Sequence, residues 1–532
     1  MSKTNLMLLD NLEKLTGEEA FIKIQQNWPT SVNKYCEVLA QRHFNNRNYI
    51  SAAYLFKKSI INIPRNYQTY CNLALALNLS GNHAESVDYA RQAFLLKPND
   101  IKITKIYLEC LLMVGRVDEI EAICNELNLD CSNDIDIDFI LAQSYRLQGN
   151  FSASISLLKK LNNQSNLSRF EFAIADVIGE TDTTEAVARY EDIISRNKFS
   201  LSSLNKYNLS LHYLRMRCFE KGWELFEYGL DKDIGDFGRR IPYNFTNTYR
   251  ADISPVNSDN WIMICSEQGI GDQLTFLSAL PEALREFPKI FFLCEKRMIP
   301  ILSRSYPSLK LTSNGLVDGN NLLTNHKNGS LGYIPLGSLL ARYRPNLDSF
   351  LVNRKPFLNV ESSLYYHFKN ILNSYASGRK VIGISWKSKV AKNLQKIKNI
   401  EFLDWLPIFD ANTLIVNLQY GDTLEEQALV KSLGLEMISF NDIDFTSDLD
   451  QWMSIAAACD GIVSISTSLV HFAGACGQHV RVVMPFPQGH WSLGLNESDS
   501  IFYPNVHIER KLFDDLPFSS LILNAAEKIV KV

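Results

Sequence analysis

The stretch Trp261–Phe276, "WIMICSEQGIGDQLTF", sets the reading of the second half of this chain. A short apolar run, Trp261 to Cys265, leads into Gly269 and Gly271, with Asp272 immediately after and a helical pattern beyond. Apolar run, glycine turn and helix in that order form the strand–turn–helix step of a parallel sheet. Gly269 and Gly271 are expected to let the backbone turn tightly. Asp272 would start the helix, where the dipole keeps a carboxylate ionised. For Asp272 alone, helix capping is the plainer use of the same position.

Downstream the pattern recurs. The runs "KIFFLC", "GYIPL", "KVIGISW", "TLIVNLQ", "EMISF", "GIVSIS" and "VRVVMPF" are bounded by turn residues and separated by amphipathic stretches. Parallel sheets with crossover helices follow. About 270 residues are too many for one such sheet and suit two. The divide is expected near "SYASGRK", giving lobes 261–377 and 378–532. Ligands of open α/β sheets bind beyond the carboxyl ends of the strands, so residues just after the strands come first.

Two further strand ends carry chemistry. In "GISWKSKVAKNLQKIKN" the lysines Lys387, Lys389, Lys392, Lys396 and Lys398 crowd one loop. They suit either a solvated surface or a diphosphate. In "SISTSLVHFAGACG" the hydroxyls of Ser466, Thr467 and Ser468 stand at a helix start, where free backbone N–H groups favour an anion. His471 lies one turn inside that helix, as a site residue or a packing residue.

The first 232 residues have another grammar. Gly81, Gly115 and Gly149 are spaced by 34 residues, each between two apolar helical patterns, as in "LALALNLSGNHAESVDYARQAFLLKP". Pro64 and Pro98 mark the same step just after a helix end. Ala52, Ser86 and Ser154 keep one packing position small. This resembles the tetratricopeptide repeat, a two-helix unit that stacks into a superhelix with a concave binding face. Weaker units run on through "EKGWELFEYG" to Gly229. The repeats imply a bound peptide or protein, the alternative being support for the rest of the chain. Residues 233–260 lack periodicity and read as a connector.

Composition narrows the function. A net charge of −4 over 532 residues gives no basic field, so no nucleic-acid partner is expected. Ten scattered cysteines show no metal-type spacing and fit a reducing compartment. The first residues, "MSKTNLMLLDNLEKL", carry charges where a signal peptide is apolar, and no apolar run reaches the roughly 18 residues of a membrane span. A cytoplasmic protein, not integral to a membrane, is expected.

The ordered motifs "EKGWELFEYG", "SEQGIGDQLTF", "GISWKS", "WLPIF", "NLQYGD" and "STSLVHFAGACGQHV" resemble bacterial glycosyltransferases with tetratricopeptide repeats and a heptosyltransferase-like catalytic half. The layout is also similar to O-linked N-acetylglucosamine transferase. The resemblance implies an α-helical repeat solenoid followed by an α/β GT-B pair of Rossmann-like lobes. It implies an inverting, metal-independent transfer from a nucleotide-sugar to an acceptor, most simply a protein hydroxyl such as that of flagellin, with no cofactor. A glycan acceptor, or an inactive adaptor on a GT-B scaffold, are the alternatives.

Matched residue by residue, the resemblance implies that Asp272 is the general base. Lys398, with Lys387 and Ser388, faces the phosphates. Gln419, Tyr420 and Glu425 stand where the family holds the donor, Glu425 on the ribose hydroxyls. Ser466, Thr467 and Ser468 line the anion loop, and His471 is a further catalytic candidate. Where heptosyltransferases have Asp before the Thr, this chain has Ser466, which argues against ADP-heptose as donor.

Overall fold

The computed structural model describes residues 3–61, 66–127, 134–165, 167–196, 201–231, 234, 238–239, 241, 262–287, 289–313, 333–388, 399–484, 490–511 and 517–531. Pro64, the connector from 242 to 260 and the lysines at 389, 392, 396 and 398 lie outside them. The described residues fall into two compact units, one up to Val177 and one from Ile178 onward.

The first unit is made of helix pairs, such as Val32–Asn45 with Tyr49–Ile60 and Tyr67–Leu79 with His83–Leu96. The 34-residue phase has a backbone cause. Gly81, Gly115 and Gly149 are all left-handed, with φ of 85°, 73° and 81°. Each helix closes with a bond from the N–H after the glycine back to a carbonyl five residues earlier, Asn82 to Leu77, Arg116 to Leu111 and Asn150 to Tyr145, at 2.8–3.0 Å. This is the Schellman closure, which needs a left-handed residue at the turn. Arg47 (φ 60°) and Arg217 (φ 64°) hold the same position one step before Gly81 and two steps after Gly149. They close the same bond, Asn48 to His43 and Cys218 to Tyr213. The phase therefore shows at 47, 81, 115, 149 and 217, only three of these turns carrying a glycine, and it skips 183, where helix Thr183–Arg196 begins. Ala52, Ser86 and Ser154 are fully buried, so the small residues sit where helices approach closely.

A Cβ placed on Gly81 meets nothing within 4 Å, so a side chain there costs backbone energy alone. Gly81→Ala is expected to lower stability by about 1–2 kcal/mol. A fall in the urea midpoint of the full chain checks this. An unchanged midpoint would mean that the turn relaxes out of the left-handed region.

The second unit holds two parallel sheets. In the first, β1 (Ile262–Cys265) is flanked by β2 (Ile290–Leu293) and β4 (Tyr333–Pro335), and β3 (Lys310–Thr312) is the edge beyond β2. In the second, β5 (Lys380–Ser385) lies between β6 (Thr413–Asn417) and β8 (Gly461–Ser464), with β7 (Met437–Ile438), β9 (Val480–Met484) and β10 (Val506–Arg510) outside them. The orders β3-β2-β1-β4 and β10-β9-β8-β5-β6-β7 both reverse beside their first strand. This is the doubly wound arrangement, and its crevice opens where the order reverses. Each lobe is Rossmann-like, and the pair has the GT-B form.

Packing places two borders elsewhere than the expected 232 and 377. Helices Ser203–Arg215 and Phe219–Phe226 bury Leu214, Phe219, Trp223 and Phe226 in one apolar core with both sheets. The Trp223 indole N–H donates to the Arg344 carbonyl at 2.7 Å. Helix Ser362–Ala376 precedes β5 but covers the second sheet, where Lys369 Nζ donates to Asp460 Oδ1 at 2.9 Å. Composition marks where the grammar changes, whereas the apolar faces decide which neighbour a helix covers. Arg304 then ties the lobes through a two-pronged pair with Asp450, at 2.6 and 3.1 Å.

Candidate active site

The site lies where the turns after β1, β5, β8 and β9 come together. After β1 the left-handed residue is Gln268 (φ 61°), not a glycine. Gly269 has φ −76° and caps the helix Ile270–Leu277, a conformation open to any residue. The expected tight glycine turn is thus made by Gln268. Gly271 serves approach instead: a Cβ there would stand 3.2 Å from His471 Cδ2 and 3.9 Å from Ser468 Cα. Hydrogen in place of a methyl lets the first-lobe turn rest on the start of helix Ser468–Ala475 of the second lobe.

Asp272 occupies the third helical position and accepts from the Gly269 backbone N–H, the reach-back half of a capping box. Its Oδ1 lies 3.1 Å from His490 Nε2, and about a third of each side chain remains exposed, 31% and 38%. Burial opposes ionisation of Asp272. The His490 hydrogen bond and charge, His471 and the Gly269 N–H outweigh it and hold the carboxyl below its ordinary value. A carboxylate ready to accept a proton results.

His471 is buried, and its Nδ1 lies 3.2 Å from both Thr275 Oγ1 and Tyr503 Oη. Burial, aided by the nearby His490, lowers its pKa to about 4 against the pull of Asp272, so the ring is neutral near pH 7. Thr275 belongs to the first-lobe helix and donates to the Gly271 carbonyl at 3.0 Å. His471 therefore joins the two lobes as well as facing the Asp272 turn.

Beyond β8, Thr467 caps helix Ser468–Ala475 without a side-chain capping bond. Its Oγ1 is 3.3 Å from Ser464 Oγ, and Ser466 and Ser468 are half-buried beside it. The first N–H groups of this helix have no capping side chain, which is the geometry of an anion site.

The β5 turn is built differently from a loose lysine loop. Gln419 Oε1 accepts from Ser385 Oγ, Trp386 N and Lys387 N at 2.9–3.1 Å, and so shapes the turn from within. Lys387 Nζ pairs with Glu426 Oε1 and donates to the Asp422 carbonyl, both at 2.8 Å. Ser388 N donates to Asn399 Oδ1 at 2.7 Å. Tyr420 packs edge-on against Trp452. Glu425 stands exposed in the first turn of helix Leu424–Ser432. Lys398 lies outside the described residues.

Next to this turn is a cavity of about 390 Å³, lined by Asn417, Asp422, Thr423, Gln427, Asn441 and Asp442 among others. It opens at the carboxyl ends of β6 and β7, the ligand side of an open α/β sheet. Gln427 and Asn441 exchange amide hydrogen bonds across it at 2.9 and 3.1 Å. Among the described residues no group of three His, Cys, Asp or Glu side chains could hold a metal ion. Nor, among them, is any helix long and apolar enough to cross a membrane.

The sequence reading passed over Glu267, Arg239 and His490. Arg239 holds both carboxylate oxygens of fully buried Glu267 at 2.7 and 2.9 Å, and reaches Glu227 and Ser338 at 2.9 Å. Glu267 also accepts from the Gly337 backbone N–H after β4, filling the reversal point of the first sheet. Glu267 stands two residues before Gly269 in the opening stretch, and a buried charge there was open to notice. His490 follows β9, a strand end like those searched, but no motif marks it.

No family model matches the chain. Protein FlbA of Caulobacter vibrioides is 30% identical over 232 residues, 41% of this chain and 38% of its own length. The match therefore spans well under half of that relative. Among solved structures, the Thermobaculum terrenum O-GlcNAc transferase aligns over 94% of this chain and 91% of its own at 10% identity, with a TM-score of 0.33. A family 9 glycosyl transferase from Veillonella parvula aligns over 51% of this chain and 97% of its own at 12% identity, with a TM-score of 0.37. At such identities the likeness to the solved structures concerns fold alone.

Proposed function

We propose that the protein is a glycosyltransferase that moves a sugar from a nucleotide-sugar to an acceptor hydroxyl. The carrying observation is Asp272, a carboxylate held ionised on the first-lobe turn and set against the uncapped helix start at Thr467. A base beside an anion site is what single displacement with inversion requires. Asp272 takes the acceptor proton, the acceptor oxygen forms its bond to the anomeric carbon, and the diphosphate leaves with the electron pair. Thr467, Ser466, Ser468 and the helix N–H groups meet the charge that grows on the leaving phosphates.

The cavity beside Asn441 receives the nucleoside end in this reading. Its volume falls in the range of small-molecule sites, about 300–1,000 Å³. Gln419 acts by shaping the β5 turn, and Lys387 by holding Glu426 and the Asp422 carbonyl at the cavity rim. The repeats supply the acceptor surface, and a protein hydroxyl is the acceptor class they suit.

A thermal-shift and turnover screen of the full chain against UDP-, GDP-, ADP-, CMP- and dTDP-sugars tests the donor. Stabilisation without turnover for every donor would favour a binding role over catalysis. Intact-mass analysis of lysate proteins after incubation with the active donor tests the acceptor, a protein gaining the sugar's mass being expected. Thr467→Ala is expected to weaken the nucleoside diphosphate by about 1.5–3 kcal/mol, the worth of a hydrogen bond to a charged group. Calorimetry measures this, and unchanged affinity would place the phosphates elsewhere.

A further inference from the structure

His490 forms the second half of the Asp272 site, and its own environment fixes what it does there. It caps the short helical turn Trp491–Leu493, its Nδ1 accepting from the Ser492 backbone N–H at 3.4 Å and lying 2.9 Å from Ser492 Oγ. With Nδ1 taken as acceptor, the ring hydrogen sits on Nε2 and points at Asp272 Oδ1, 3.1 Å away. The loop that carries the ring is anchored from behind. Partly buried Arg217 pairs with Glu497 at 2.5 Å and donates to the carbonyls of Trp491 and Ser492 at 3.0 and 3.3 Å. Arg510 donates to the Gly494 carbonyl at 3.1 Å, and Trp223 packs edge-on against Trp491.

A half-exposed histidine in a loop would ordinarily turn freely. This one is capped on one nitrogen, braced through its neighbours and aimed with the other. Arg217 is the left-handed turn residue of the repeat phase, and Trp223 belongs to the next helix. The last repeat-type helices thus hold a loop of the second lobe against a residue of the first.

We infer that His490 is the positioning residue of Asp272: its Nε2–H holds Oδ1, and proton uptake falls to Oδ2. The inference rests on Asp272 being the base. In the transfer, the acceptor O–H bond breaks toward Oδ2 and the proton stays there, while Oδ1 keeps the His490 hydrogen bond throughout. The other titratable groups that bear on Asp272 are His471, neutral near pH 7, and Tyr207 on helix Ser203–Arg215. Burial raises the Tyr207 phenol far above its ordinary value, so it stays neutral as well. Removing the histidine donor leaves the Gly269 N–H and His471 to oppose burial, and the carboxyl must titrate at higher pH.

The test uses the full chain labelled with [γ-¹³C]aspartate, the Asp272 signal being the one lost in Asp272→Asn. In His490→Ala its titration midpoint should rise by about one pH unit, as for loss of an adjacent donor. In His490→Gln, whose amide can still donate to Oδ1, the rise should be smaller. An unmoved midpoint in His490→Ala overturns the pairing, with no substrate needed. With the sugar nucleotide that turns over in the donor screen, His490→Ala should lower kcat, leave the donor KM in place and move the acid limb of the rate profile upward with the carboxyl midpoint. A wild-type rate and acid limb in His490→Ala, with Asp272→Asn inactive, overturns the positioning role. An active Asp272→Asn instead sinks the base reading while the shifted midpoint keeps the pairing.

Discussion

Asp272→Asn is expected to lose about 10²- to 10⁴-fold in transfer rate, the usual contribution of a general base. The substitution keeps the shape of the side chain, and its amide oxygen can still accept from one of the two donors, His490 Nε2 or the Gly269 N–H, so the turn should fold. What is lost is the charge that takes the proton. The loss should appear in kcat with the donor KM unchanged, because Asp272 works on the reacting acceptor and not on the nucleotide. The pH profile carries the sign of the mechanism. His490 and its partners hold the carboxyl below its ordinary value, so the base is ionised across the neutral range and activity falls only as the pH drops through that lowered value. Rates near wild type in the variant, by nucleoside diphosphate release, would remove Asp272 from the chemistry.

Glu267→Gln is expected to show the largest loss of stability, about 3–5 kcal/mol, as when one member of a buried ion pair is removed. Arg239 and Glu267 have fully buried side chains. The amide would turn N–H groups toward the Arg239 guanidinium, donor against donor, and Glu227 alone would remain to balance it. The figure measures an uncompensated buried charge, not the net worth of the pair. Since Glu267 also receives the Gly337 N–H, the variant should disturb the turn that carries Asp272 and slow transfer too. Urea unfolding followed by tryptophan fluorescence reads the stability, and a midpoint equal to wild type would mean that water reaches the cluster and screens it.

Much of this molecule is legible in its sequence for physical reasons. Eight of the ten described strands coincide with the apolar runs, because strands buried on both faces are continuous stretches of valine, isoleucine and leucine. The two not foreseen, β3 and β10, are outer strands, as are the foreseen β4 and β7. In β3 Lys310 is exposed, and β10 carries His507, Glu509 and Arg510, so neither is a continuous apolar run. The repeat phase showed at Gly81, Gly115 and Gly149 but was hidden at Arg47 and Arg217, where packing holds a side chain in a conformation that glycine adopts freely.

Local sequence determined the strand–turn–helix steps, the 34-residue step and the residues at strand ends, because each depends on neighbours within a few positions. It also brought Asp272, Thr467 and His471 forward as candidates, since their place after a strand is itself local. Tertiary structure decided what these groups do to one another. Gly271 meets His471 across 200 residues, Arg217 braces the loop of His490 across 280 and Arg239 neutralises Glu267 across 28. Such pairings come from the crossing of two sheets and the burial of shared apolar faces, which no short stretch encodes. Whether a carboxylate stays ionised, or an imidazole neutral, depends on the donors and charges the fold brings within a few ångströms.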